Sequence, residues 1–339
     1  MKAMQISQYG KDEKVILTEV KTPAVGAHDI LIEVYAASVN PVDYKLRDGA
    51  LKAVRPKKLP LTLGNDFAGI VTKIGAEVTR FKEGDAVYGA ASADRWGSFA
   101  EYFVVGEQYA ALKPSNLSFT EAASLPLTAL TAYQALTEWL DVQPSQKIFI
   151  PGGAGGVGIV AIPIAKHLGA YVATTGSPRG RELINSLHPD LFIDYQTTDF
   201  SKQLTNYDGV FDTRGGDDLI KAFSILKPKG KIVSIAGIPD KAFAKREELP
   251  QAIQLALAVN ARKVHSLAKK HEVSYHYFMK RADGIQLEKI THLIEKGVIK
   301  PIIDKIFTFE ETQAALDYVE AGKAKGKVVI TVKGHLSGS

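Results

Sequence analysis

Cysteine is absent from all 339 residues of the chain. That single absence excludes disulfides, thiolate catalysis, iron–sulfur clusters and every cysteine-based zinc site. No Gly-x-Ser-x-Gly turn offers a hydrolase nucleophile, and no glycine-rich loop ends in the Gly-Lys-Ser/Thr of a mononucleotide site. His265, His271 and His276 fall at spacings that form no metal motif, and His271-Glu272 lacks the second histidine of a zincin helix. A long uninterrupted apolar run is missing too. Residues 148–165 carry no charge, but their glycines and Pro163 mark a strand, a turn and a helix rather than a membrane span. Met1-Lys2-Ala3-Met4-Gln5 has no apolar signal region, so a cytoplasmic protein that leaves membranes alone is expected. The net charge of +5 is spread along the chain in short runs such as Lys57-Lys58 and Lys269-Lys270. Without interleaved aromatics these are solvated faces, and nucleic acid is not an expected partner.

What is present suits a soluble protein with real cores: 45% apolar and 23% charged residues. A chain of this length is expected to hold about two domains. Its first part reads as short strands punctuated by Gly and Pro, among them Ile30–Val34, Gly69–Ile74, Ala86–Tyr88 and Ala100–Val105. Ser118-Phe119-Thr120-Glu121 has the spacing of a capping box and opens a helix, with another expected over Leu130–Leu140. From Gln146 onward strands and helices alternate, which argues for a doubly wound parallel α/β sheet. Pro163 should kink the first of those helices. The chain closes on a helix near Thr312–Ala321 and a strand over Val328–Val332.

The densest signal is Lys147-Ile148-Phe149-Ile150-Pro151-Gly152-Gly153-Ala154-Gly155-Gly156-Val157-Gly158. A short apolar strand runs into Gly-x-Gly-x-x-Gly, which opens directly into a helix. Gly153 permits a tight turn, Gly155 lets the backbone approach a pyrophosphate, and Gly158 lets helix and strand pack closely. Residues 153–158 therefore form the expected dinucleotide cradle, with the helix N-terminus facing the phosphates. An NAD site usually places a carboxylate about 20 residues on, against the ribose 2′-hydroxyl. This chain instead reads Thr175-Gly176-Ser177-Pro178-Arg179-Gly180-Arg181. A hydroxyl and guanidinium groups suit a 2′-phosphate, which favours NADP(H) with Ser177 and Arg179 as its contacts.

With these pieces placed, the chain resembles the medium-chain dehydrogenase/reductase superfamily, and within it the zinc-independent quinone oxidoreductase branch. The resemblance runs through Ala37-Ser38-Val39-Asn40-Pro41-Val42-Asp43-Tyr44, Leu63-Gly64-Asn65-Asp66-Phe67-Ala68-Gly69, Phe81-Lys82-Glu83-Gly84-Asp85-Ala86-Val87, Gly97-Ser98-Phe99-Ala100-Glu101-Tyr102 and Leu125–Tyr133. It implies a GroES-like β-domain over residues 1–122, a Rossmann dinucleotide-binding domain over 123–302 and a returning segment over 303–339. The active-site cleft is expected at their junction. Zinc alcohol dehydrogenases of the superfamily have a Cys where this chain has Asn40 and a His-Glu pair where it has Asn65-Asp66. A metal is therefore not expected. Without a Lewis acid to stabilise an alkoxide, the implied reaction shifts to hydride transfer from NADPH to quinones or α,β-unsaturated carbonyl compounds. The expected partner is such a small molecule, and the expected assembly is a homodimer.

The resemblance also places site residues. Asn40, at the metal-ligand position of the zinc relatives, is expected to bond the cofactor ribose or the substrate oxygen rather than merely shape the turn before Pro41. Tyr44 either donates to a carbonyl as charge develops or is a partly buried aromatic with a wet hydroxyl. Thr131 either meets the nicotinamide carboxamide or packs its helix. Tyr195 either flanks the adenine-side ribose and phosphate or is a sheet-edge aromatic. Two alternatives stay open: a cofactor-binding structural or nucleic-acid-binding protein of the zeta-crystallin type, and an enoyl thioester reductase. Leu51 stands about where the latter enzymes carry a catalytic Tyr.

Overall fold

The computed structural model describes residues 1–52, 54 and 56–333. The chain divides into two compact units, one of Met1–Leu130 with the residues from Arg281 onward, the other of Thr131–Lys280.

In chain order the first unit holds β1 (Lys2–Ile6), β2 (Ile16–Glu19), β3 (Asp29–Val39), α1 (Pro41–Arg47), β4 (Leu61–Thr62), β5 (Asp66–Ile74), β6 (Ala86–Ala90), β7 (Tyr102–Gly106), β8 (Ala110–Leu112) and α2 (Phe119–Ala123). Helix α3 (Pro126–Gln134) follows. The second unit then builds β9 (Lys147–Ile150), α4 (Gly158–His167), β10 (Tyr171–Gly176), α5 (Arg181–Ser186), β11 (Leu191–Asp194), α6 (Phe200–Gln203), β12 (Tyr207–Asp212), α7 (Gly216–Ala222) and β13 (Leu226–Ser234). It ends with α8 (Lys241–Arg246), α9 (Gln251–Asn260), α10 (Arg262–Lys270) and β14 (Ser274–Tyr277). The tail returns to the first unit as α11 (Gly284–Glu295), β15 (Ile303–Thr308), α12 (Thr312–Glu320) and β16 (Lys327–Thr331).

Strand β3 is long and almost wholly buried, so it sits at the centre of its sheet rather than at an edge. The sheet runs β15-β16-β3-β5-β6-β8, with β7 also pairing β3. The closing strand β16 pairs β3 antiparallel, Val328 opposite Val39 and Ile330 opposite Ala37. One apolar core fixes that return: Val39, Leu46, Phe99, Phe307, Leu316, Val328 and Ile330 are all buried together. The tail is thus part of this core and not an appendage.

The expected capping box is present. Ser118 Oγ accepts from the Glu121 N–H at 3.2 Å, and a Glu121 carboxylate oxygen accepts from the Ser118 N–H at 2.9 Å. A cap of this kind stabilises a helix by about 1 kcal/mol. The helix expected over 130–140 instead begins at Pro126, whose ring suits a first helical position. It gives way after Gln134 to a widened turn closed by the Leu140 N–H on the Ala135 carbonyl.

The second unit's sheet is wholly parallel, ordered β11-β10-β9-β12-β13-β14. Strand order reverses beside β9, and the carboxyl end of such a strand is where open α/β sheets bind their ligands. Helix α4 runs through Pro163 as one element. No helix among the described residues is long and apolar enough to cross a membrane.

Candidate functional site

In the second unit the turn between β9 and α4 is held by its own backbone. The Gly152 N–H donates to Thr175 Oγ1 at 3.1 Å, and the Gly153 N–H to the Thr175 carbonyl at 2.9 Å. The Gly155 N–H closes the turn on the Gly152 carbonyl at 2.9 Å. The left-handed residue is Gly152, with φ of +75°, rather than Gly153. Gly153 is needed for a different reason: a Cβ there would stand 2.5 Å from Thr174 Oγ1 and 3.0 Å from Ile162 Cδ1. The expectation that Gly153 supplies the tight turn is corrected accordingly.

Gly155 and Gly158 differ sharply. A Cβ on Gly158 would meet the Gly152 and Gly153 carbonyl oxygens at 2.6 and 2.8 Å, so this glycine serves close packing. A Cβ on exposed Gly155 would meet only the Gly152 oxygen, at 3.2 Å. Packing within the chain therefore constrains Gly155 far less than Gly158, and its exposed backbone is open to a ligand's approach. Ala154, Gly156 and Val157 are half-buried around it. At the head of α4 the Ile159 N–H donates to the Gly155 carbonyl at 3.0 Å and the Val160 and Ala161 N–H groups to the Val157 carbonyl at 3.2 and 2.8 Å, so the positive end of the helix opens on the glycine turn. These features fit a bound pyrophosphate.

Ser177 and Arg179 lie immediately past the end of β10. Their turn is brought to the cradle, since a Cβ on Gly180 would stand 3.0 Å from Ala154 Cβ and 4.0 Å from Ser177 Oγ. Arg179 is exposed and pairs with no carboxylate among the described residues. Arg181 is engaged elsewhere, its guanidinium 4.5 Å from the Phe192 ring centroid. Tyr195, 56% exposed, is tied to the same end of the sheet by its N–H on the Gly176 carbonyl at 3.3 Å. The structure thus gathers residues 153–158, Ser177, Arg179 and Tyr195 along one sheet end.

Sequence reading missed the far side of this cradle. Thr213 Oγ1 donates to the Pro151 carbonyl at 2.7 Å, and a Cβ on Gly152 would touch Arg214 Cδ at 3.0 Å. The loop is shaped by buried Asp212, which accepts from the Arg214 and Gly215 N–H groups and from Ser234 Oγ at 2.6 Å. Burial pushes the Asp212 carboxyl up, against the hydrogen bonds that lower it. A strand ending in Asp before Thr-Arg-Gly-Gly was the available signal.

In the first unit Asn40 caps α1 and is 1% exposed. Its surroundings follow from register. Ser38 lies opposite Asp66, and Val39 opposite Val328, so Lys327 arrives beside Asn40. Asn40 Nδ2 donates to Asp66 Oδ2 at 2.8 Å and to the Ser38 carbonyl at 3.3 Å, while Asn40 Oδ1 accepts from Lys327 Nζ. Asp66 also accepts from Ser38 Oγ at 2.7 Å and from the Leu127 N–H at 2.8 Å. Lys327 Nζ stands 3.8 Å from the Asp66 carboxylate. Burial holds the Lys327 ammonium below the usual lysine range, opposed by Asp66 and Asp43.

Tyr44 is half-buried on α1. Burial raises its phenol above the ordinary value, with Glu320 and Asp48 adding to the shift and Arg47 opposing it. It is therefore a neutral O–H at physiological pH. Thr131 is buried on α3, belongs to the second unit and is engaged in an interaction of its own. Leu51 packs against the first unit's apolar core. Lys327 and Asp66 were not foreseen as site residues. For Asp66 the hint was its place in the Asn65-Asp66 pair that replaces the His-Glu of the zinc relatives, and for Lys327 it was one lysine at the head of the apolar run Val328-Val329-Ile330.

Two family models match the chain: an alcohol dehydrogenase GroES-like domain over residues 26–115 and a zinc-binding dehydrogenase over residues 187–330. The chain is 36% identical to a 2-methylene-furan-3-one reductase of Solanum lycopersicum, over 97% of this chain and 79% of that one. It is 35% identical to the chloroplastic NADPH-dependent alkenal/one oxidoreductase of Arabidopsis thaliana, with the same coverage. The quinone oxidoreductase structure from Coxiella burnetii superposes with a TM-score of 0.84 at 33% identity, covering 98% of this chain and 99% of that one.

Zinc, implied by one model's name, does not fit the donors in the first unit. Asn40 and Asn65 hold the ligand positions, neither a usual zinc ligand. Asn40 Oδ1 is already bonded to a buried ammonium, which would repel a dication. Among the described residues no three His, Cys, Asp or Glu side chains converge.

Proposed function

The chain belongs to the zinc-independent quinone oxidoreductase branch of the medium-chain dehydrogenase/reductase superfamily, and on that footing we propose that it reduces quinones or α,β-unsaturated carbonyl compounds with NADPH. The observation that carries this reading is the presence at one sheet end of an exposed Gly155 and of an Arg179 that pairs with no carboxylate among the described residues. The first admits a pyrophosphate and the second a 2′-phosphate. Bound NADPH supplies the hydride.

The chain's own residues do the rest. The backbone of residues 153–158 and the N-terminal end of α4 bind the phosphates, Ser177 and Arg179 select NADPH over NADH, and Tyr195 flanks the adenine-side ribose. Asn40, with both amide hydrogens committed to Ser38 and Asp66, keeps an Oδ1 lone pair and so accepts from a hydroxyl such as that of the cofactor ribose. Tyr44 is the O–H donor that meets negative charge developing on the substrate oxygen. Thr131 holds the nicotinamide carboxamide. A conjugated acceptor needs less polarisation than a saturated ketone, so it suits a site whose donors exclude a Lewis acid.

In this reading the unit of residues 1–130 with the residues from Arg281 onward is the substrate-side domain and the unit of residues 131–280 the dinucleotide domain. The partner is a small molecule, the assembly a homodimer and the location cytoplasmic. The test is a panel of quinones and enones with NADPH and with NADH. NADPH oxidation dependent on a conjugated acceptor is expected; no oxidation with any acceptor would overturn the reading.

A further inference from the structure

Buried lysines are costly, and Lys327 is only 3% exposed. Folding alone does not require an ammonium at the head of β16, where an apolar residue would continue the run Val328-Val329-Ile330. What the ammonium does touch is the side chain placed in the active site. We propose that Lys327 is a positioning residue for the reduction, fixing which way the Asn40 carboxamide faces. The proposal rests on the reading that Asn40 belongs to that site.

The argument is one of complementarity. A carboxamide is nearly symmetric in shape but not in chemistry, since Oδ1 only accepts and Nδ2 only donates. Asn40 lies between a group that only donates, the Lys327 ammonium, and one that only accepts, the Asp66 carboxylate. Turning the amide over would set its NH2 against the ammonium and its oxygen against the carboxylate. Two attractive contacts would become two repulsive ones in a buried setting where screening is weak. The orientation is therefore locked.

The lock is assembled from distant segments. Ser38 and Asn40 share a face at the end of β3, Asp66 begins β5, Lys327 begins β16, and the Leu127 N–H on α3 completes the Asp66 carboxylate. The Asn40 N–H is itself held by Asp43 Oδ2 at 2.7 Å, which fixes the entry into the helix that carries Tyr44. Lys327 thus acts on the reaction through Asn40, without touching substrate.

The test separates positioning from folding by three variants. Lys327→Met leaves Asp66 uncompensated and Asn40 unlocked. It should lower the melting temperature and reduce kcat by about tenfold or more, the scale on which misplaced site groups act. KM for NADPH should change far less, because the glycine turn and Arg179 carry phosphate affinity. In Lys327→Met with Asp66→Asn, the new amide can accept from the Leu127 N–H and donate to a turned-over Asn40. That neutral network should restore the melting temperature toward the starting value while kcat stays low. Lys327→Arg, which keeps a donor-only head, should retain more kcat than Lys327→Met.

Recovery of kcat together with stability in the double variant would overturn the proposal, as would full kcat in folded Lys327→Met. If Lys327→Met does not fold, the double variant and Lys327→Arg decide. A readout independent of turnover is hydrogen exchange of the Asn40 side-chain amide by NMR. Slow exchange is expected in the unmodified protein and fast exchange or a shifted signal in the variants lacking Lys327; identical behaviour would refute the lock. An unmodified protein that reduces no enone or quinone would instead refute the functional reading, and the exchange measurement would still judge the lock.

Discussion

The glycine turn after β9 and the polar cluster around Asn40 are built on opposite plans. The turn is nearly bare of side chains, open to solvent at Gly155 and held by backbone hydrogen bonds to a neighbouring strand. The cluster is all side chain, with Ser38, Asn40, Asp66 and Lys327 each under 4% exposed and each satisfied by another. A phosphate cradle needs backbone N–H groups and room, which a short run of glycines supplies locally. Orienting one carboxamide needs charges of both signs at fixed places, which only strands brought together from distant parts of the chain supply.

That contrast can be broken most severely at the turn. Gly155→Val should fold, since the position has no left-handed φ and its Cβ meets one backbone oxygen at 3.2 Å, which a shift of a few tenths of an ångström relieves. Its branched side chain should block the phosphates and weaken NADPH binding by about a hundredfold or more, a loss of about 3 kcal/mol. Fluorescence titration with circular dichroism checks both halves. Gly158→Val is the control: its Cβ would collide with two carbonyl oxygens, so loss of folding is expected.

Arg179→Ala comes next in size. Removing a charge-assisted contact costs about 1.5–3 kcal/mol, so KM for NADPH should rise about tenfold or more while KM for NADH barely moves. Equal use of both cofactors by the unmodified protein would count against the assignment.

A smaller effect is expected on α1, the helix that Asn40 caps. Tyr44→Phe should lower kcat by about threefold to tenfold, the value of one net hydrogen bond of ~1 kcal/mol. The contribution requires the protonated phenol, present below its pKa and lost as pH rises through it. Because that pKa is raised above the ordinary 10.0, the Tyr44-dependent part of kcat should persist past pH 10. A pH profile of both proteins tests the sign. No effect at all is expected from exhaustive chelation, because the Lys327–Asn40 contact occupies the place where a metal would need an anionic or neutral donor. Stoichiometric zinc with loss of turnover on its removal would contradict this.

Legibility followed the same division. The parallel sheet, the glycine turn and the last strand were visible because each is written in consecutive residues, as apolar runs and a glycine pattern, whereas the return of that strand to the first unit was implied by the family resemblance alone. The tight turn was assigned to Gly153 rather than Gly152 because φ depends on which carbonyl the turn must clear, not on the motif's first glycine. Thr213 and Arg214 escaped notice because they reach the cradle from another strand. Lys327 was hidden more deeply. It meets Asn40 across 287 residues, and only the β16–β3 register reveals the encounter.

The most direct test of the central claim is isotopic. With NADPH deuterated at C4 and a conjugated enone, deuterium should appear stereospecifically on the β-carbon of the reduced product, with chelator present. A protein that oxidises simple alcohols efficiently, but transfers no deuterium to any enone or quinone, would contradict the account.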